Sequence, residues 1–195
     1  MQSVDTVRKL LMNGLVQRVG FRPTVYKVAQ QLGLYGWVKN TSLGVAVVIN
    51  TPDAQVFMHK LEDDLPRLAS LDSVEIQQIS LDHELTSFTI LPSSAGAVND
   101  TIMPPDSYLC QDCLGELFDP TSKYYLYPFT NCTNCGPRYS VIRGLPYDRP
   151  LTALANFPLC ESCGAEYTDS NNRRYHAQAT ACPNCGPQLN AELAE

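Results

Sequence analysis

Eight cysteines stand in this chain as four Cys-x-x-Cys pairs, Cys110/Cys113, Cys132/Cys135, Cys160/Cys163 and Cys182/Cys185, separated by 18, 24 and 18 residues. A Cys-x-x-Cys loop offers two thiolates to one ion, and two such loops complete a tetrahedral zinc site. The set is therefore that of two structural Zn²⁺ ions. Each cysteine of the first half recurs fifty residues later, as do Leu109/Leu159, Glu116/Glu166, Asp119/Asp169, Tyr125/Tyr175 and the run Asn-Cys-Gly-Pro at 134–137 and 184–187. The metal-binding part is a duplicated module. Duplication favours local pairing of the loops, with a nested arrangement of outer and inner pairs as the alternative. His176 lies close to Cys182 but reads as a packing or hydrogen-bonding residue, because eight cysteines already complete two sites. His59 and His83 have no companions.

The rival readings of the cysteines are weaker. Met1–Arg8 lacks the apolar run of a signal peptide, and no stretch approaches the roughly 18 apolar residues of a membrane span. A reducing, cytoplasmic setting without membrane contact is expected, which argues against a disulfide framework. A thioredoxin-like redox site needs one pair beside a βαβ unit rather than four pairs. Residues 1–91 carry 8 Lys/Arg and 9 Asp/Glu, whereas the remainder carries 6 against 11. Thiolate-bound zinc would add further negative charge there. Such a module repels phosphate backbones, so nucleic-acid binding is not expected.

A second candidate site lies upstream. Val16-Gln17-Arg18-Val19-Gly20-Phe21-Arg22 forms a loop leading into Pro23, a residue suited to a first helical turn. A strand-to-helix loop aims several backbone N–H groups at one spot, an anion site by construction. Arg22 ends that loop with a planar fork that fits a phosphate. Asn40 ends a strand beside a tight turn, where its amide could hold a water. Spacing alone leaves open a surface salt bridge for Arg22 and a turn-forming role for Asn40.

The elements that must position these residues follow from periodicity. Val7–Val16 reads as a first strand, and Val25, Val28, Ala29 and Leu32 as one helical face ended by Gly33. Gly36–Asn40 and Gly44–Asn50 are two strands joined by Thr41-Ser42-Leu43. Pro52 opens a second helix bearing Phe57, Leu61 and Leu65. Strands follow around Ser73–Ser80 and Thr86–Leu91. The order β-α-β-β-α-β, with a short extra strand, predicts an α+β ferredoxin-like plait over residues 1–91. Residues 92–103 are small, polar and proline-flanked, a linker. Residues 104–190 form the zinc module, expected to have little regular structure.

VQRVGFR (16–22) and GWVKNTSLG (36–44) resemble the two signature segments of acylphosphatases. The resemblance covers most of residues 5–91 and implies that Arg22 binds the substrate phosphoryl group while Asn40 orients the attacking water. YPFTNCTNCGPRYS (127–140), LPYDRP (145–150), FPLCESC (157–163) and RRYHAQATACPNCGP (173–187) resemble the zinc region of the hydrogenase-maturation carbamoyltransferases, the HypF family. Members of that family join an acylphosphatase-like domain to a duplicated Cys₄ module, then to domains that adenylate a carbamoyl group and transfer it to a partner cysteine. The chain is identified as the N-terminal fragment, or a truncated relative, of such a protein. The partners implied are a hydrogenase-maturation protein and the further C-terminal domains. Arg18 stands where the family has glycine, and it either obstructs the anion or binds it as a second cation.

The function expected is binding or hydrolysis of an acyl phosphate, carbamoyl phosphate being the substrate the resemblance implies. Arg22 and the amides of Gln17, Arg18, Val19, Gly20, Phe21 and Arg22 would hold the phosphoryl group, and Asn40 the water. The alternative is a scaffold that binds carbamoyl phosphate without turnover and docks other proteins through its zinc module.

Overall fold

The computed structural model describes residues 6–17, 19–93, 108–136, 138–144 and 147–190. These fall into two compact units, the described part of the first ending at Ser93 and that of the second beginning at Tyr108. Arg18, most of the segment expected to be a linker, and Leu145-Pro146 of LPYDRP lie outside the described residues.

In the first unit the elements run β1 (Val7–Leu15), α1 (Phe21–Gln31), β2 (Gly36–Thr41), β3 (Gly44–Asn50), α2 (Gln55–Asp63), β4 (Ser70–Ile79) and β5 (Phe88–Ile90). The sheet order is β4-β1-β3-β2-β5. All neighbours are antiparallel except β2 and β5, which are parallel. This is the ferredoxin-like plait, widened by one short edge strand. Alternation places Leu10 and Met12 of β1, Val38 of β2 and Val45, Val47 and Ile49 of β3 on one face. Val25, Val28 and Ala29 of α1 and Phe57, Met58 and Leu61 of α2 cover that face and complete the core.

Helix boundaries follow local chemistry. Helix α1 ends in a Schellman motif, with the Gly33 N–H donating to Gln30 O (3.1 Å) and the Leu34 N–H to Ala29 O (2.9 Å). Gly33 adopts φ 64° there. Helix α2 starts later than Pro52, at Gln55. The Asp53 side chain accepts from the Gln55 N–H at 2.8 Å, and the Thr51 hydroxyl accepts from the Asp53 N–H at 3.3 Å. Those local bonds hold residues 51–54 in a turn that competes with helix. The β2–β3 connection is shorter than expected, because Thr41 pairs with Gly44 and only Ser42-Leu43 are left as loop.

The second unit has more regular structure than its sequence suggested. Each repeat's first Cys-x-x-Cys opens an eight-residue helix, α3 (Gln111–Phe118) and α4 (Glu161–Thr168). Short 3₁₀ turns occupy 139–141, 149–151 and 153–156 between the repeats. Arg149 ties the described part of the spacer after residue 146 to the second repeat, its guanidinium donating to Gln178 O (3.0 Å), Thr180 O (2.7 Å) and Phe157 O (2.7 Å).

Gly44 is where β3 lies hard against β1. A Cβ there would stand 2.2 Å from the Met12 carbonyl oxygen, and the residue's φ is 130°. Gly44→Ala is expected to destabilise the first unit by about 1–3 kcal/mol from backbone strain alone, read as a lower urea midpoint. An unchanged midpoint would show that β1 and β3 can separate freely at this point.

Candidate functional site

Strands β1 and β2 each run antiparallel to β3, so they are parallel to one another and both end on one edge of the sheet. The loop after β1, the N-terminus of α1 and Asn40 near the end of β2 therefore meet there. Val19 and Phe21 are both buried in the core. Their side chains pin the loop from within and leave its backbone as what it can offer a ligand. Gly20 makes the entry into α1 with φ 80° and ψ 9°. A side chain in that left-handed conformation would cost roughly 1–2 kcal/mol. No acidic residue occupies the first turn of α1, so the helix's positive end is not neutralised locally. Arg22, only 8% exposed, sits in that first turn. A guanidinium at this end opposes the macrodipole, an arrangement that suits an anion better than it suits the helix.

Gln17 joins the two segments. Its Nε2 donates to Thr41 O at 2.8 Å and Gly44 O at 2.9 Å, clamping the β2–β3 turn to the loop. Its Oε1 is buried with no hydrogen-bond partner among the described residues. Asn40 is 1% exposed, and both its Oδ1 and Nδ2 are likewise without hydrogen-bond partners. An unmade hydrogen bond at a buried polar group costs about 1–3 kcal/mol, so three such atoms at one end of the sheet call for a polar partner, a water or a ligand, and make this the candidate site. The role of Gln17 as a side-chain clamp was not legible in sequence, where only its backbone amide was assigned.

The eight cysteines gather into two groups, Cys110/Cys113/Cys132/Cys135 and Cys160/Cys163/Cys182/Cys185, with all sulfurs of a group within 4.8 Å of one another. The pairing is local, and the nested alternative is ruled out. Sulfur separations of 3.6 Å (Cys110–Cys132), 3.9 Å (Cys132–Cys135), 3.8 Å (Cys160–Cys182) and 3.7 Å (Cys182–Cys185) lie far outside bonding range. They match the edge of about 3.8 Å that a tetrahedron with metal–sulfur bonds of about 2.3 Å requires. Cys110 and Cys160 cap α3 and α4 with nearly identical backbone angles, and Cys113 and Cys163 sit in the first turns. Helix N-termini favour thiolates.

The thiols of each group are pushed in different directions by their neighbours. Hydrogen bonds from the Cys113 and Cys132 thiols hold Cys135 far below the ordinary thiol range, while Cys113 is pushed far above it by its bonds to Cys132 and Cys135 and by burial. In the other group burial works to raise Cys185, but the backbone N–H groups of Cys160 and Cys182 and bonding to Cys163 and Cys182 bring it down to about 7. Four adjacent thiolates repel one another, and a bound cation would let all four ionise. His176 belongs to neither group. Its ring packs 4.6 Å from that of Tyr175 and 5.1 Å from that of Tyr167.

The duplication extends to backbone detail. Leu126 and His176, fifty residues apart, both take positive φ (53° and 52°). Their N–H groups bond to the equivalent carbonyls of Leu117 and Tyr167, each at 3.0 Å or less. Asp119 and Asp169 form matching turns onto the N–H groups of Thr121 (2.8 Å) and Asn171 (2.9 Å).

The family described as Acylphosphatase matches residues 8–90, and the one described as HypF finger matches residues 109–142 and 159–191. An acylphosphatase of Koribacter versatilis is 38% identical over 93 residues, spanning 46% of this chain and 84% of that protein. Through its first unit the chain belongs to the acylphosphatase family. More particularly, it carries the acylphosphatase-like domain and duplicated finger that are joined in HypF carbamoyltransferases. The carbamoyltransferase HypF of Synechocystis sp. is 48% identical over 148 residues, 75% of this chain and 19% of that protein. A crystal structure of full-length HypF in a phosphate- and nucleotide-bound form superposes with a TM-score of 0.86 at 40% identity, over 95% of this chain and 25% of that one. The chain thus spans about a fifth of the length of the HypF carbamoyltransferases it matches.

Glu116 offers a pH test of the second unit. Burial acts to raise its pKa, but hydrogen bonds from Arg174 and Arg173 override this and hold the carboxyl below its ordinary 4.5. Its stabilisation is complete above that ordinary value and is lost as pH falls through the lower folded one. Glu116→Gln is therefore expected to lower the melting temperature at pH 7, with the gap from the parent chain closing below about pH 4.5. A gap that does not shrink on acidification would refute the assignment.

Proposed function

We propose that the first unit binds the phosphoryl group of an acyl phosphate and hydrolyses it, and that carbamoyl phosphate is the substrate within a HypF-type carbamoyltransferase of hydrogenase maturation. The observation that carries this reading is the pair of buried carboxamides, Asn40 and Gln17, whose three unbonded polar atoms lie at the sheet edge shared with Arg22. The loop amides of residues 17–22 and the Arg22 guanidinium hold the phosphoryl oxygens and offset charge that develops in the transition state. Asn40 accepts from and donates to a water and sets it in line for attack. No covalent intermediate is needed. Preorganisation comes from Gln17, which fixes the turn after Asn40.

The cysteine groups hold two Zn²⁺ ions in a structural role, residues 1–91 and 104–190 acting as separate domains. Zinc suits an all-thiolate tetrahedron. Four thiolates would leave the ion no open position for a substrate. No helix among the described residues is long and apolar enough to cross a membrane. By likeness to its HypF relatives the protein is a cytoplasmic one that works with a maturation partner.

Arg18 favours a second reading, because a bulky cation replaces the usual glycine of the cradle. In that case the domain binds carbamoyl phosphate without turnover. One assay separates the two. The purified chain is expected to release phosphate from carbamoyl phosphate, with Arg22→Ala and Asn40→Ala each reducing kcat/KM by about 10²–10³. Tight binding of inorganic phosphate with no turnover would establish the scaffold. Activity unchanged in Arg22→Ala would dismiss the proposed site.

A further inference from the structure

Lys123 and Arg173 occupy the same place in the two repeats, fifty residues apart. Each reaches away from its own repeat and onto the other's. Arg173 donates from Nη1 to the Cys113 sulfur at 2.8 Å, lies 4.0 Å from that of Cys110, and pairs with Glu116 on α3. Lys123 Nζ lies 3.8 Å from the Cys163 sulfur and pairs with Glu166 on α4 at 3.0 Å, also donating to the Ser162 hydroxyl at 2.8 Å. The exchange is reciprocal, residue for residue, as in an isologous dimer interface. Backbone contacts reinforce it. The Thr133 N–H and hydroxyl donate to Arg173 O (3.0 and 2.9 Å), and Arg174 Nε donates to Asn131 O (3.1 Å). The stretch bearing Arg173 is thereby tied to the loop bearing Cys132.

A divalent ion held by four thiolates leaves net negative charge in a half-buried pocket. Cations and N–H donors placed on the sulfurs disperse that charge and fix the ligands, and loss of such an outer partner typically costs about 10–100-fold in metal affinity. We propose that the two metal centres are cross-braced: each repeat supplies the outer-shell cation of the other's centre, Arg173 for the Cys110 group and Lys123 for the Cys160 group. The centres are consequently unequal. Arg173 makes a direct charge-assisted N–H···S bond, while Lys123 stands an ångström further off. The Cys160 group also has two partly exposed cysteines, Cys160 and Cys185, against Cys110 alone in the other. It releases its ion first. This inference concerns ligand retention and does not depend on the hydrolytic reading of the first unit.

The test uses the full metal-loaded chain, challenged with excess chelator and N-ethylmaleimide, with labelling of each cysteine followed by peptide mass spectrometry. The two centres are then read separately in one sample. In the parent chain Cys160, Cys163, Cys182 and Cys185 are expected to label before the other four. Arg173→Gln, a change in the second repeat, is expected to speed labelling of the first repeat's cysteines about tenfold or more. Lys123→Gln does the reverse. Arg173→Lys keeps the charge and is expected to give an intermediate rate at the first repeat's cysteines. It carries the test should Arg173→Gln fail to fold. The proposal is overturned if any of these changes acts mainly on the cysteines of its own repeat, on all eight equally, or on none.

Discussion

Four sulfurs held within 4.8 Å of one another cannot all carry charge unaided. Two unit charges 4 Å apart repel by about 4 kcal/mol at an effective dielectric of 20, which exceeds what most single contacts in a small module return. The regular structure of the second unit cannot resist this on its own. Its helices are eight residues each, too short to persist alone. Its apolar cluster is assembled around Tyr124, Tyr127, Val141 and Leu154, with cysteines as members. A cation at each sulfur cluster turns the repulsion into the attraction that orders the loops. The arrangement of α3, α4 and the two turn-borne cysteine pairs is the geometry that four-sulfur coordination demands.

The first unit depends on a different constraint. Its core is closed by its own side chains, and the polar mismatch is confined to one sheet edge. Parallel β1 and β2 deliver the loop and Asn40 to that edge, and Gln17 locks one to the other. The unmade hydrogen bonds of Asn40 and Gln17 are sustained because Val19, Phe21 and the α1 face bury enough apolar surface on the loop's inner side. An ordered core holding unsatisfied polar atoms at one end of its sheet is the form expected of a place where a polar ligand or water is bound without rearrangement.

Much of this was legible in the residues. Apolar periodicity marked both helices and the strands of the plait, because each buries only one face and its pattern says which. The cysteine spacing marked both sulfur groups, because two-residue gaps leave the ligands few arrangements. Boundaries were less legible where side chains compete with the backbone, as at Thr51 and Asp53 before α2. So were α3 and α4, eight residues each, too short to show a helical period without the metal-site geometry that opens them. The clamp by Gln17 and the exchange between Lys123 and Arg173 were hidden for a common reason. Both join residues more than twenty positions apart, and nothing local in the sequence distinguishes them from surface polar residues.

Tyr124 and Arg174 are also repeat equivalents, yet they touch each other. The Arg174 guanidinium lies 3.8 Å from the centroid of the Tyr124 ring while bonding to Glu116, and the Tyr124 hydroxyl donates to Glu166. They sit where the two halves face each other. Two arginines at that point would set like charges face to face, and two tyrosines would leave Glu116 without this partner. Once the halves had diverged there, neither could again serve as a spare for the other. The halves repeat one another elsewhere, but their midline admits only one left half and one right.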